Sequence, residues 1–220
     1  MPALLDACRR LDEHPQFIDI YPEYLFLLHS MTRAAVPLME DAVRQLNVRT
    51  DTQARSLVEY FESHTLEEEG HDRWILEDLE KLGVRRQDVL RRMPSPTIAG
   101  LVGAQYYWIH HHDPVALLGY IAVLEGYPAA ISAVEELMRR ITLPRAAFRT
   151  LREHAAVDGD HSFELDRLID RLPLTDEQFS LICVNGLMTV VGLIRCVDEI
   201  LDAYETRPDY QSLGAGGCRN

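Results

Sequence analysis

His154-Ala-Ala-Val-Asp158-Gly-Asp-His161 sets two imidazoles and a carboxylate at spacings of zero, four and seven. On a helix of 3.6 residues per turn these three side chains fall within about 60° of arc. Donors held that close on a rigid rod are what a metal ion requires of its ligands. Two further features supply donors from elsewhere in the chain. One is Glu68-x-x-His71, a carboxylate and an imidazole three residues apart; the other is Glu125, an acid inside an apolar run.

The three features carry unequal weight. Glu-x-x-His is the pair that helical dinuclear carboxylate proteins use, but with Glu67 and Glu69 beside it the stretch reads equally well as a solvated acidic face. Glu125 is sharper. Within Val115-Ala-Leu-Leu-Gly-Tyr-Ile-Ala-Val-Leu-Glu125-Gly-Tyr-Pro128 nearly every neighbour is apolar, and an ionised carboxylate buried there costs several kcal/mol unless it is paired or bound to a metal. Pro128 removes a helical hydrogen bond and should disturb the turn that carries Glu125. The alternatives for Glu125 are a place on the bundle surface or an ion pair with a buried arginine such as Arg195.

Assembled, Glu68, His71, Glu125, His154, Asp158 and His161 come from three helices. They offer three neutral imidazoles and three carboxylates to two divalent ions. Oxygen and nitrogen donors without thiolate suit iron or manganese. Six ligands over two ions leave open positions, the mark of a catalytic rather than a structural site.

With these residues in place, the order Glu-x-x-His, then a lone Glu, then His-x3-Asp-x2-His resembles the heme-oxygenase-like diiron oxidases, over about residues 50–200. The resemblance implies the helical fold of heme oxygenase and the thiaminase II relatives, two Fe(II) ions (manganese as a substitute), and the six residues above as their ligands. It also implies a small-molecule substrate of amino acid or fatty acid type, oxidised with dioxygen by desaturation, C–C cleavage or N-oxygenation. Some members place a Glu ligand seven residues before the first His. Here His64 holds that position, so the first ligand is either Glu68 or His64. A ferritin-like iron protein would call for two Glu-x-x-His pairs, and one is present. A metal-free hydrolase of the thiaminase II type would need a nucleophile near an acid, and no Cys has a His at helical spacing.

The elements that must position these groups are helical. Period-3.6 patterning dominates and no alternating strand pattern stands out. One helix spans about 20–47, with Leu25, Leu28, Met31, Ala35, Leu38 and Leu46 inward, Pro22 near its start and Pro37 as a potential kink. Thr50 or Asp51 caps a second helix that runs to Leu82 and stops at Gly83. A short basic helix at about 85–92 precedes an apolar one at about 97–111. Asp113-Pro114 opens a helix to about Ile141, Leu143-Pro144 starts the one with the His-x3-Asp-x2-His motif, and Thr175-x-x-Gln178 is a capping box for the last, about 176–204. The expectation is an all-α bundle of seven or eight helices in one domain, 1–205, with a loose tail at 206–220.

Composition bounds the partners. The net charge of −13, from 35 acids against 22 bases, argues against nucleic acid and against anionic membranes. Cys8, Cys183, Cys196 and Cys218 show no CxxC spacing, and Cys183 and Cys196 read as core residues. A reduced cytoplasmic setting, no membrane span and no export signal are expected. An apolar face on the 97–111 helix suits a homodimer. Arg195, in an otherwise apolar run, either binds a substrate carboxylate or pairs with Asp198. Tyr106, Tyr107, Trp108 and His110–His112 either line a pocket or, the favoured reading, pack in the core and at a helix end, with a metal on the His run as the further alternative.

Overall fold

The computed structural model describes residues 1–126 and 129–206, with the side chains of 157–160 outside the described set. It contains ten α-helices and two 3-10 turns among the described residues, and no strand. The helices are α1 (Pro2–Asp12), α2 (Phe17–Leu46), α3 (Thr52–Glu68), α4 (His71–Lys81) and α5 (Arg86–Arg91), then α6 (Pro96–His111), α7 (Leu117–Leu124), α8 (Ile131–Arg140), α9 (Arg149–Arg171) and α10 (Asp176–Glu205).

The all-α expectation holds, and the segmentation is finer than periodicity suggested. Three differences account for it. α1 was not anticipated; it buries Leu4, Ala7 and Leu11 and joins α10 through Arg10–Asp198 at 2.6 Å. The expected helix from 51 to 82 is broken into α3 and α4 at Gly70, whose φ of 93° lies in the left-handed region that glycine adopts without steric cost. The expected helix from 113 to 141 is broken after Leu124, so that Glu125 sits at the C-cap of α7. Pro128 lies outside the described residues.

Elsewhere the local chemistry acts as read. Asp51 accepts from Ala54 N–H at 2.9 Å, and Thr175 and Gln178 form the reciprocal capping box. α2 runs unbroken through both Pro22 and Pro37 and buries a stripe that includes Ile20, Tyr21, Leu25, Leu38 and Leu46. It packs on α3, α4, α6 and α10 and is the central rod of the core. α10, with its buried Leu181, Ile182 and Val197, lies across α7, α1 and α6.

Two features hold these helices in register. Gly119 on α7 meets α10 so closely that a Cβ there would overlap the carbonyl oxygen of Ile182. Beside it, Asn185 donates to Gln105 Oε1 and to the Ala116 carbonyl, both at 2.7 Å, while Gln105 Nε2 returns a bond to Asn185 Oδ1 at 3.2 Å. A buried polar group left unpaired costs about 1–3 kcal/mol; this network pairs its members and so specifies how α6, α7 and α10 meet.

α10 is also long and apolar enough to cross a bilayer by composition, but it carries buried Asn185 and Thr189 and packs on four other helices. Cys196 is buried in line with the core reading, whereas Cys183 is exposed.

Candidate metal centre

The break at Gly70 determines the geometry of the centre. Glu68 is the last residue of α3 and His71 the first of α4, so the pair straddles a turn instead of sharing one helix face. His71 Nδ1 lies 3.1 Å from Glu68 Oε1, and both side chains are buried. One turn back on α3, His64 reaches inward from the same face as Glu68 and is 2 % exposed.

Residues of α3, α4 and α9 form two groups, and Glu125 at the end of α7 adds to them. In the first, His64, Glu67 and His161 bring one donor atom each to within 4.8 Å of one another. In the second, Glu68, His71 and His154 do the same, and His64, Glu68 and Glu125 form a third set that links the two. The His64 and His161 rings meet edge to face at 4.9 Å, and those of His71 and His154 at 5.0 Å.

Glu125 stands between His64 and His161. Its Oε1 accepts from His64 Nε2 at 3.1 Å, and its Oε2 lies 3.4 Å from His161 Nδ1 without the alignment of a hydrogen bond. Burial pushes the Glu125 carboxyl upward, but the two imidazoles outweigh it and hold it down at about 2. The Glu125 carboxylate in turn outweighs burial at His161 and lifts that imidazole to about 9. At His64 burial again opposes protonation, and contact with Glu125 raises the net value.

Three atoms of the cluster meet a charged neighbour at 3.1–3.4 Å without the alignment of a hydrogen bond. His71 Nδ1, Glu125 Oε2 and His161 Nδ1 are buried with no hydrogen-bond partner. Buried polar atoms are nearly always bonded, and orphans that converge from different helices fit a set of ligands aimed at a shared point. The donor set is four imidazoles and three carboxylates with no thiolate, which suits iron or manganese.

The surroundings orient the donors. His154 Nδ1 donates to the Thr150 carbonyl at 3.0 Å, which leaves Nε2 as the free donor toward the cluster. Thr150 N–H donates in turn to the fully buried Asp78 carboxylate at 2.9 Å. Tyr60 stacks on His64 at 5.5 Å, and Trp74 packs on His71 at 4.1 Å. A narrow cavity of about 20 Å³, room for about one water-sized molecule, opens beside His64 and Glu125; its other walls include Leu38, Met39, Leu117, Tyr120 and Ile121.

Of the residues singled out by spacing, Glu68, His71, Glu125, His154 and His161 converge here, and so does His64. Both candidates for the first ligand, Glu68 and His64, turn inward on successive turns of α3 and share one donor group with Glu125. Asp158 lies on α9 and its side chain is outside the described residues. Glu67 was not foreseen as a donor: its Oε2 is 3.5 Å from His64 and 3.2 Å from His161. Its place beside Glu68 in a run of three acids hid it, since helical spacing from His64 was the only signal available.

Arg195 does not join the centre. It is exposed on α10, and Asp198, the partner expected for it, pairs with Arg10 instead. His110 bonds to Asp41 at 2.9 Å at the end of α6, consistent with packing.

Comparison with known proteins places this geometry in context. A sequence profile described as iron-containing redox enzyme matches residues 31–189. No curated protein matches the sequence. Among solved structures, a domain of unknown function with a heme oxygenase-like fold from Shewanella denitrificans superposes with a TM-score of 0.75 at 18% identity, covering 96% of this chain and 87% of that one. A TenA homolog from Pseudomonas syringae pv. tomato superposes with a TM-score of 0.64 at 8% identity, covering 91% and 90%. At such identities the likeness concerns the fold.

Proposed function

The chain belongs to the iron-containing redox enzyme family, and from that premise we propose that it is a non-heme diiron oxidase or oxygenase that uses dioxygen to oxidise a small metabolite. The observation that carries this reading is the pair of three-residue donor groups, His64–Glu67–His161 and Glu68–His71–His154, joined through Glu68 and Glu125. One ion would be held by each group, with Glu68 and Glu125 within reach of both. Asp158, one turn from both His154 and His161 on α9, is a further proposed ligand.

Iron held by these histidines and carboxylates would supply the redox chemistry toward dioxygen and substrate. The chain's own residues do the rest. Thr150 keeps the His154 proton on Nδ1, so its Nε2 lone pair faces the centre. Three carboxylates bring negative charge that favours the more oxidised metal. Tyr60 and Trp74 cover two of the imidazoles with aromatic surface and keep water from them. The cavity beside His64 and Glu125, walled mostly by apolar side chains, has room for a molecule about the size of water or dioxygen.

A thiaminase II-like hydrolysis finds less support. Among the described cysteines, Cys8 and Cys183 are exposed and belong to none of the donor groups, and burial pushes the Cys196 thiol up to about 12, too high for a ready nucleophile.

The test is air-free loading with ferrous iron, gentle desalting and elemental analysis, followed by dioxygen uptake with amino acids and fatty acids as candidate substrates. About two ions per chain and substrate-stimulated uptake are expected. Stoichiometry that stays near one, or full loading without uptake for any candidate, would defeat the diiron oxidase reading.

A further inference from the structure

α10 buries one face and leaves another apolar face bare. Val184, Leu187, Met188 and Val191 are 45%, 68%, 47% and 48% exposed, and with Arg195 they fall within about 100° of arc on the helix. Of the most hydropathic 18-residue window of this helix, only 28% is buried within the fold. Alongside the ridge runs an open groove of about 600 Å³, floored by Gly100, Leu101 and Ala104 of α6. A Cβ added at Gly100 or Gly103 would meet nothing within 4 Å.

We propose that this face is where a second copy of the chain docks, the α10 ridge of each protomer entering the α6 groove of its partner about a two-fold axis. Three features argue for that occupant. First, a two-fold interface uses the same patch on both copies and must therefore complement itself. A ridge and a groove side by side on one surface meet that requirement reciprocally. Second, the ridge sets four large apolar side chains, each 45% or more exposed, beside a mostly apolar groove; such a patch is on the order of the few hundred Å² that a monomer rarely leaves uncovered and that a stable pair buries.

Third, charge selects the face. The chain carries a net charge of −13, so two copies repel over most of their surface. Among the residues lining the groove, Arg195 alone is charged, and the two acidic molecules can approach there at least cost. The same net charge disfavours an anionic lipid surface. The small side chains on α6 let the partner's ridge come close to the helix backbone. This interface is independent of the metal centre and of any reading of its chemistry.

Sedimentation velocity of the full-length protein is the test, run from low micromolar to a tenth of a millimolar. The expected species has twice the 25.2 kDa chain mass. Leu187→Glu and Val191→Glu should each weaken the dimer by roughly a hundredfold with helix content unchanged. Gly100→Gln keeps the ridge but fills the groove, and it also raises helix propensity; it should yield a monomer at least as stable to unfolding as the wild-type chain. A wild-type protein that is monomeric throughout overturns the proposal, and so does a dimer that persists in all three variants. A monomer that floats with phosphatidylcholine vesicles would assign the face to lipid instead.

Discussion

The carbonyl of Thr150 accepts a hydrogen bond from His154 Nδ1 at 3.0 Å, while the amide of the same threonine donates to Asp78 at 2.9 Å. Asp78 on α4 thus anchors the first turn of α9, and that turn fixes the tautomer and direction of a proposed ligand. Asp78→Ala removes the acceptor and leaves a buried N–H unpaired, at a cost of about 1–3 kcal/mol. Metal affinity should fall by about tenfold or more through the loosened His154. Asp78→Asn keeps an acceptor oxygen and should restore much of both. Calorimetric unfolding of the metal-free protein and metal titration read the two effects separately; equal metal affinity in the wild-type and Ala proteins would show that His154 needs no such support.

Gly70 and Gly83 make a matched pair, with φ of 93° and 82° and open space around a hypothetical Cβ at both. Alanine at either should cost about 1–2 kcal/mol from backbone strain alone. Of the two glycines, Gly70 is the one that lies between Glu68 and His71. Gly70→Ala should therefore also weaken metal binding, whereas Gly83→Ala should lower the melting temperature and leave binding as it was. Comparable binding loss in both variants would mean that the turn at Gly70 has no special role.

Close packing of α7 on α10 gives a second contrast. A methyl at Gly119 would overlap the Ile182 carbonyl, part of a backbone that cannot step aside, while a methyl at Gly186 would stand 3.3 Å from Gly119 O, tight but tolerable. Gly119→Ala should destabilise by about 3 kcal/mol or more, displacing the helix that ends at Glu125, and Gly186→Ala by clearly less. Urea midpoints of the two variants check the order.

Acid should destabilise the protein through His29, a group outside the metal centre. Burial, with Arg33 on α2 and Arg86 on α5, outweighs the opposing Asp72 on α4 and holds this imidazole down at about 4. The unfolded chain takes up that proton near pH 6.5 and the folded chain does not. Stability attributable to His29 is therefore complete above pH 6.5 and is lost as pH falls toward 4, by no more than about 3 kcal/mol. His29→Leu should flatten the metal-free stability profile between those values. Parallel profiles for the two proteins would rule the group out.

Much of the architecture was legible in the chain because it is written in local chemistry. The caps at Asp51, Asp113 and Thr175 and the period-3.6 stripe of α2 depend on residues a few positions apart. Five of the six donors singled out by spacing converge, since spacing on a helix determines which side chains share a face. What spacing misplaced were discontinuities. Gly70 and the residues after Leu124 interrupt apolar periods that look continuous, because periodicity records burial and not whether the backbone between two buried residues stays helical.

The sequence by itself determined the donor types, the all-helical class and the absence of thiolate from the candidate ligands, each a property of residue identity and short-range order. Only the tertiary structure decided that His64 and Glu68 both enter the centre, that Glu67 lies between His64 and His161, and that Arg195 faces away. Those outcomes depend on the angles at which α3, α4, α7 and α9 cross. Crossing angles follow from close packing at points such as Gly119 against Ile182, where contacts between residues far apart in the chain outweigh any local preference.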